Sequence, residues 1–158
     1  MILVLLGTQN NSFVRLLKEI ERNIENGNIQ DNVVVQAGYT KYNSNKMKIY
    51  DFVAPKKMEQ LINDSSLIIT HGGVGSTIQC VKKGKKVIAI PRLKKYGEHV
   101  NDHQVQLINT FDYQGYIIGA KDVSDLSDAL KRVDKFTPKE YKSQTNNMIK
   151  MIEDYIDK

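Results

Sequence analysis

The hydrophobic residues of this chain fall into short apolar runs that alternate with amphipathic segments. Apolar runs are typical of strands buried on both faces of a parallel sheet, whereas apolar residues three and four positions apart are typical of helices. The runs predict six strands, at Met1–Leu6, Val33–Val35, Lys48–Val53, Leu67–Ile69, Val87–Ile90 and Tyr116–Ile118. The amphipathic segments predict six helices: from a Ser12 cap to Gly27, around Met58–Ile62, and at Val74–Lys83, His99–Thr110, Asp122–Val133 and Pro138–Ile156.

Strands and helices that alternate in this way predict an α/β fold, a doubly wound Rossmann-like parallel sheet with right-handed crossovers. The length of 158 residues fits a single domain over 1–158. With 41% apolar and 26% charged residues the chain can bury a sizeable core, which excludes a disordered polypeptide. Ligands of such sheets bind at the carboxyl ends of the strands, where polar and glycine-rich residues gather in this sequence.

The cellular compartment is indicated by what the sequence lacks. Its longest apolar runs reach five or six residues, far short of the roughly 20 that a membrane helix needs, and no signal-like segment opens it. Cys80 is the single cysteine, so it forms no disulfide within the chain and is interpreted as a packing residue. We therefore expect a cytoplasmic protein.

Positive charge is concentrated in one stretch. The net charge is +5, and Lys82–Lys95 holds seven cations and no acid. This stretch would suit an anionic ligand or surface, although it can equally be a solvated face, and the modest excess does not indicate a nucleic-acid binder.

The segment His71–Thr77, with the sequence HGGVGST, joins a predicted buried strand to a predicted helix. Glycines let a ligand approach the backbone, and free N–H groups at a helix start, with the Ser76 and Thr77 hydroxyls, favour phosphate. The turn does not match the dinucleotide fingerprint, which needs a third glycine where Ile78 stands, and it lacks the lysine of a P-loop. The alternative is a tight turn that needs glycine for packing alone. Gly7 and Thr8 form a second candidate turn, which can also simply end the first strand.

A second polar motif lies at 98–104, with the sequence EHVNDHQ. His99 and His103 are one helical turn apart, but no recognised ligand spacing completes a metal site. Asp102, His103 and Gln104 are better suited to hydrogen bonding with sugar hydroxyls, and the alternative is an exposed solvated turn.

Together with Gly84-Lys85-Lys86 and the segment Ile90–Gln104, the glycine turn resembles the donor-binding C-terminal half of GT-B glycosyltransferases of family 28. The resemblance runs from Met1 to about Gly119. It is strongest to split members of the family, namely the catalytic subunit of the dolichol-linked UDP-GlcNAc transferase and the small subunits of bacterial capsule and exopolysaccharide glycosyltransferases. The chain is therefore expected to be one half of a GT-B fold.

The resemblance implies the donor-binding catalytic subunit of a two-component inverting glycosyltransferase. Such an enzyme transfers a hexose from a UDP-sugar to a lipid-diphosphate-linked acceptor in capsular or exopolysaccharide biosynthesis. Its partner is a membrane-anchored, acceptor-binding subunit that recruits the chain to the inner face of the plasma membrane. Neither a metal nor another cofactor is implied.

The resemblance also implies roles for individual residues. The UDP diphosphate is expected on Gly73, Gly75, Ser76 and Thr77, and the donor sugar near Asp102, His103 and Gln104. Further substrate-binding residues are expected at Gly7, Thr8, Gly72, Gln79 and Arg92. His71 is the candidate general base within this chain if the partner does not supply one. Relatives often carry a glutamate where Gln79 stands, so the single acceptor oxygen of the amide should weaken or rearrange the contact with ribose.

Two other functions and one further surface stay open at this point. A non-catalytic activator subunit is compatible with Gln79, and a nicotinamide or flavin domain shares the fold but lacks the ribose-binding acid after the first turn. The C-terminal helix, at about 138–157, carries an apolar stripe that is expected to pack on the partner subunit, or else to complete the local core.

Overall fold

The computed structural model describes residues 1–7, 11–97 and 103–141, without the side chain of His103. Six parallel strands form one sheet in the order β3-β2-β1-β4-β5-β6. They are β1 Ile2–Leu5, β2 Val33–Gln36, β3 Lys48–Tyr50, β4 Leu67–Thr70, β5 Val87–Ala89 and β6 Ile118–Gly119. The doubly wound Rossmann-like parallel sheet predicted from the sequence is confirmed.

The described residues include five α-helices, of which four lie between strands and the fifth follows β6. They are α1 Val14–Glu25, α2 Pro55–Asp64, α3 Val74–Lys82, α4 His103–Tyr113 and α5 Leu126–Arg132. Short 3-10 turns occupy Lys94–Tyr96, Val123–Asp125 and Val133–Lys135.

The sheet is buried on both faces, as its continuous apolar strands require. In β1, Ile2 and Val4 belong to one core layer and Leu3 and Leu5 to the other, because successive side chains point to opposite faces. Residues of α1 and α5 cover the first layer. The second layer is covered from α2, α3 and α4.

Several helices and strands begin or end at other residues than predicted, in some cases because of local hydrogen bonds. Ser12 does not cap α1, since that helix begins after Phe13, whose N–H donates to Oγ1 of Thr40 at 3.0 Å. The third strand ends at Tyr50 instead of Val53, because the N–H of Val53 donates to the Gln36 side chain instead of the strand ladder. The last strand is Ile118–Gly119 instead of Tyr116–Ile118.

The segment Asp122–Val133, predicted as one helix, consists of a 3-10 turn at Val123–Asp125 followed by α5. Asp122 accepts a hydrogen bond from the N–H of Val123 at 2.7 Å, and this cap begins a 3-10 turn that leads into α5. Residues 138–141, where the last helix was predicted to start, are not helical. The ring of Tyr141 lies 6.0 Å from that of Tyr116, and the remainder of the predicted helix falls outside the described residues.

Membrane crossing by a helix can be assessed for the part of the chain that the structure describes. In that part, no helix has both the length and the apolar character needed to span a bilayer.

Candidate functional site

The carboxyl ends of the central strands bring together most of the residues singled out from the sequence. Neighbouring strands β1 and β4 are followed by Gly7 and by His71, and β5, beside β4, is followed by Arg92. The strand order reverses direction between β1 and β4, and ligands of doubly wound sheets bind at such a switch point. We call this edge of the sheet, around Gly7 and His71, the switch-point site.

The imidazole of His71 fills the space beside two glycines. A Cβ on Gly7 would stand 2.6 Å from Nε2 of His71, and a Cβ on Gly73 would stand 2.5 Å from Cε1. Gly7 also has a φ of +79°, which side chains rarely tolerate. Both glycines are therefore required by the buried ring of His71, quite apart from any ligand.

Arg92 holds this ring from the opposite edge. Its Nη1 lies 3.0 Å from Nδ1 of His71, and its Nη2 donates to the carbonyl of Leu6, the residue after β1. The guanidinium also lies over the ring of Phe13, 5.4 Å from the ring centroid. Only 1% of Arg92 is exposed, so its cation is held within the fold and not offered to solvent.

Gln104, the first residue of α4 whose side chain is described, faces the same nitrogen. Its Nε2 lies 3.4 Å from Nδ1 of His71. Its Oε1 is buried and has no hydrogen-bond partner among the described residues. A buried acceptor without a partner is unfavourable, so this oxygen is a candidate acceptor for a donor group on a ligand.

The glycine turn ends in the N-terminus of α3. Gly73 is the N-cap and offers no side-chain cap, and the first intrahelical bond runs from the N–H of Thr77 to the carbonyl of Gly73 at 3.0 Å. The N–H groups of the preceding first turn have no acceptor within the helix, which is the usual feature of an anion-binding helix start.

Within the part of the chain that the structure describes, the space above this first turn is open. A Cβ on Gly75 would meet no described atom within 4 Å, and Gly75 is exposed. Ser76 is half-buried, whereas Oγ1 of Thr77 is buried and lacks a hydrogen-bond partner in the described part of the chain. The backbone of the turn is therefore the more accessible surface for a phosphate, with Ser76 beside it.

Other predicted site residues fall in different places. Gly72 has a φ of +86°, and a Cβ there would stand 2.6 Å from Ile108, so packing against α4 explains this glycine. Gln79 is exposed on α3. Thr8, Asp102 and the side chain of His103 lie outside the described residues.

The cations of Lys82–Lys95 lie on both sides of β5. Lys85 donates to the carbonyls of Asn63 and Ser65 at 2.8 and 3.0 Å, and Lys86 donates to that of Val133 at 2.9 Å, before β5 begins. Arg92 follows β5 at the opposite edge of the sheet. Lys85 and Lys86 thus bind backbone carbonyls at the amino end of β5, whereas Arg92 lies at its carboxyl end.

An aromatic pair at the same edge was missed by the sequence analysis. The rings of Tyr39 and Phe52 are 5.3 Å apart, and both side chains are about half exposed. A Cβ on Gly38 would stand 2.5 Å from the carbonyl oxygen of Gly7, which places this pair beside the switch-point site. The only available signal was the turn at Gly38 after β2.

Cys80 lies on the buried side of α3. Burial raises the pKa of its thiol to about 12. The thiol is therefore neutral in the folded protein, which agrees with a packing role. Among the described residues no three His, Cys, Asp or Glu side chains come together in a way that could hold a metal ion.

Comparison with known proteins identifies the family. The model of the glycosyltransferase family 28 C-terminal domain matches residues 1–158, so the chain belongs to this family. No curated protein sequence is significantly similar to it.

Solved structures share the fold at low sequence identity. The NMR structure of ALG13 is 17% identical with a TM-score of 0.64, and the match covers 94% of each chain. MurG from Acinetobacter baumannii is 14% identical with a TM-score of 0.59, covering 96% of this chain and 49% of MurG. The kitacinnamycin glycosyltransferase is 11% identical with a TM-score of 0.57, covering 95% of this chain and 37% of the enzyme. This chain thus spans nearly all of ALG13, about half of MurG and just over a third of the third protein, and has the fold of one half of a GT-B glycosyltransferase.

Proposed function

We propose that this member of the glycosyltransferase family 28 C-terminal domain family is the donor-binding catalytic subunit of a two-component inverting glycosyltransferase. It transfers a hexose from a UDP-sugar to a lipid-diphosphate-linked acceptor in capsular or exopolysaccharide biosynthesis. The observation that carries this proposal is the open first turn of α3, which begins at the switch point of the sheet and presents backbone N–H groups beside an uncrowded Gly75.

The donor diphosphate binds across this turn. Gly73 and Gly75 leave the backbone uncovered, and Ser76 adds a half-buried hydroxyl. Thr77 contributes its buried hydroxyl only if the turn adjusts when the ligand binds. These groups are hydrogen-bond donors, so they suit the negative charge that collects on the departing UDP.

Inverting transfer then follows in one displacement. The acceptor hydroxyl oxygen attacks the anomeric carbon, the bond from that carbon to the diphosphate oxygen breaks, and UDP leaves with the electron pair. The proton of the acceptor hydroxyl passes to a general base. We place this base on the partner subunit, and His71 stays the candidate within this chain.

Two subunits are proposed because the residues described here build one half of a GT-B site. The extent of the match to ALG13, which covers nearly the whole of both chains, supports a protein of this type. The partner is a membrane-anchored subunit that binds the lipid-linked acceptor and brings this chain to the inner face of the membrane. No metal is assigned to the site, since N–H groups can neutralise the diphosphate.

The test is to co-express this chain with a candidate membrane subunit and to assay a panel of UDP-sugars on a lipid-diphosphate acceptor. We expect transfer from one UDP-sugar by the pair and little or none by either subunit alone. Gly75→Asp is the matched control, because it adds a carboxylate to an open position and should abolish transfer without disturbing the fold. A pair that transfers sugar with undiminished activity when this chain carries Gly75→Asp would instead support the non-catalytic activator function.

A further inference from the structure

Three basic side chains surround a cavity at the end of α5. Lys131, Arg132 and Lys135 are exposed, and together with Phe136 they line a cavity of about 410 Å³. Within the part of the chain that the structure describes, none of the three makes a hydrogen bond or an ion pair. Their charges therefore face solvent. We call the surface formed by these four residues the α5 basic surface.

Capping of the helix end does not account for the three cations. Basic side chains near a helix C-terminus often bind its free carbonyls. The carbonyl of Val133, however, already accepts from Nζ of Lys86 at 2.9 Å and from the N–H of Phe136 at 3.2 Å. The end of α5 is thus capped from β5 and from the chain that follows, without the cations of the α5 basic surface.

Positive charge prevails around this surface. The segment 131–136 holds three cations and one acid, Asp134, which is exposed and forms no ion pair with the described residues. Asp128 lies one turn earlier on α5. Lys86, bound to Val133, and its neighbour Lys85 add two further charges from the start of β5. The summed field at this place is positive and attracts anions.

Apolar side chains lie beside the charges. Leu130, Val133 and Phe136 are each partly exposed and pack against the core layer that α1 and α5 cover. Cations next to partly exposed apolar groups suit the headgroup region of a bilayer, where phosphates adjoin the first apolar carbons. A free phosphate ion would use the charges alone.

We propose that the α5 basic surface binds the phosphate-bearing headgroups of an anionic lipid bilayer. The contact between Lys86 and Val133 places this surface at the edge of the sheet where the strands begin. The switch-point site lies at the opposite edge, so the lipid does not compete with the donor. That this bilayer is the membrane that holds the acceptor rests on the proposed function.

The experiment is sedimentation of the full chain with vesicles of equal parts phosphatidylglycerol and phosphatidylcholine, and with vesicles of phosphatidylcholine alone. We expect binding to the anionic vesicles only, and weaker binding at high salt, because salt screens the attraction. Equal binding of the wild-type chain to both kinds of vesicle would overturn the proposal without any variant.

The variant Lys131→Gln, Arg132→Gln, Lys135→Gln should bind anionic vesicles about tenfold to a hundredfold more weakly. Its control is Lys41→Gln, Lys56→Gln, Lys57→Gln, which removes the same charge from exposed positions after β2 and at the start of α2. The control should lose much less affinity. Equal losses in the two variants would show that net charge alone attracts the vesicles, and no loss in the first would remove lipid from this surface.

Inorganic phosphate separates the lipid from the free ion. Added at the ionic strength of a sodium chloride control, it should release no more bound chain than the chloride does. Full release by phosphate alone would make the surface a site for the free ion and refute the bilayer as its occupant. Vesicle binding is measured without donor, acceptor or partner, so its failure leaves the proposed function standing, and failure of sugar transfer leaves lipid binding standing.

Discussion

Arg15 on α1 donates a hydrogen bond from Nη1 to Oδ1 of Asp122 at 2.7 Å. The contact joins residues 107 positions apart in sequence and links the first helix to the segment that follows β6. The same carboxylate caps the next turn by accepting from the N–H of Val123 at 2.7 Å. Asp122 therefore stabilises both a local turn and a long-range contact.

Asp122→Asn should destabilise the protein in a pH-dependent way. Partial burial by itself would raise the pKa of Asp122, but hydrogen bonds from Arg15 and the Val123 N–H lower it below its usual value of 3.8. A lowered folded-state pKa contributes stability above the unfolded-state pKa, and this stability is lost as the pH falls through the folded-state pKa. Asparagine keeps the cap but not the charge, so we expect a loss of about 1 kcal/mol near neutral pH.

Chemical unfolding between about pH 7 and pH 3 measures this effect. The difference between wild type and Asp122→Asn should shrink as the pH falls below about 4. Asp128→Asn on the exposed surface of α5 is the control and should change stability little at any pH. A constant difference across the pH range would show that the charge of Asp122 does not matter.

The Cys80 thiol should be unreactive in the folded protein. With a pKa of about 12, roughly one thiol in ten thousand is ionised at pH 8, and burial also blocks access. We expect almost no colour from a disulfide reagent with native protein at pH 8, and one equivalent after denaturation with guanidinium. Rapid stoichiometric labelling of the native chain would contradict the packing role.

The sheet could be predicted from the sequence because its strands are short, continuous apolar runs. Buried strands such as Leu67–Thr70 leave few other arrangements, and most of the segments between strands have helical periodicity. The ends of elements were harder to predict, because they depend on contacts between distant residues. The Thr40 hydroxyl that accepts a hydrogen bond from the N–H of Phe13 lies in a loop 27 positions away, and no sequence feature near Ser12 indicates this contact.

The sequence predicted where in the fold the candidate site residues lie, but not which of them contact one another. His71 and Gly73 stood out because glycines follow a buried strand, and the structure places them at the switch point. The resemblance to the family led us to expect Arg92 among the substrate-binding residues. Its burial against His71 depends on three strand ends meeting in space, which no local pattern in the sequence contains.

The two ends of α3 offer a test that separates binding from stability. Gly75→Ala adds a Cβ to an open position in a helix, so stability should rise by about 0.5–1 kcal/mol. The methyl group would nevertheless occupy the surface proposed for the diphosphate, and UDP affinity should fall about tenfold, which corresponds to about 1.4 kcal/mol. Calorimetry and thermal unfolding measure the two effects.

Gly84→Ala is the opposite case and serves as the control. Gly84 follows the other end of α3 and has a φ of +71°, so alanine should reduce stability there while UDP affinity stays unchanged. Parallel losses of stability and affinity in both variants would mean that α3 affects UDP binding only through folding.

Gln104→Ala should separate recognition of the sugar from recognition of UDP. The buried Oε1 of Gln104 has no hydrogen-bond partner within 1–7, 11–97 and 103–141, and it can accept from a sugar hydroxyl next to His71. Losing one neutral hydrogen bond weakens binding by about 0.5–1.5 kcal/mol, so affinity for the UDP-sugar should fall several-fold to about tenfold, with a smaller change for UDP. Gln106→Ala, on the exposed face of the same helix, should change neither affinity. Equal losses of affinity for UDP and UDP-sugar in Gln104→Ala would indicate that Gln104 does not contact the sugar and acts through its contact with the His71 ring.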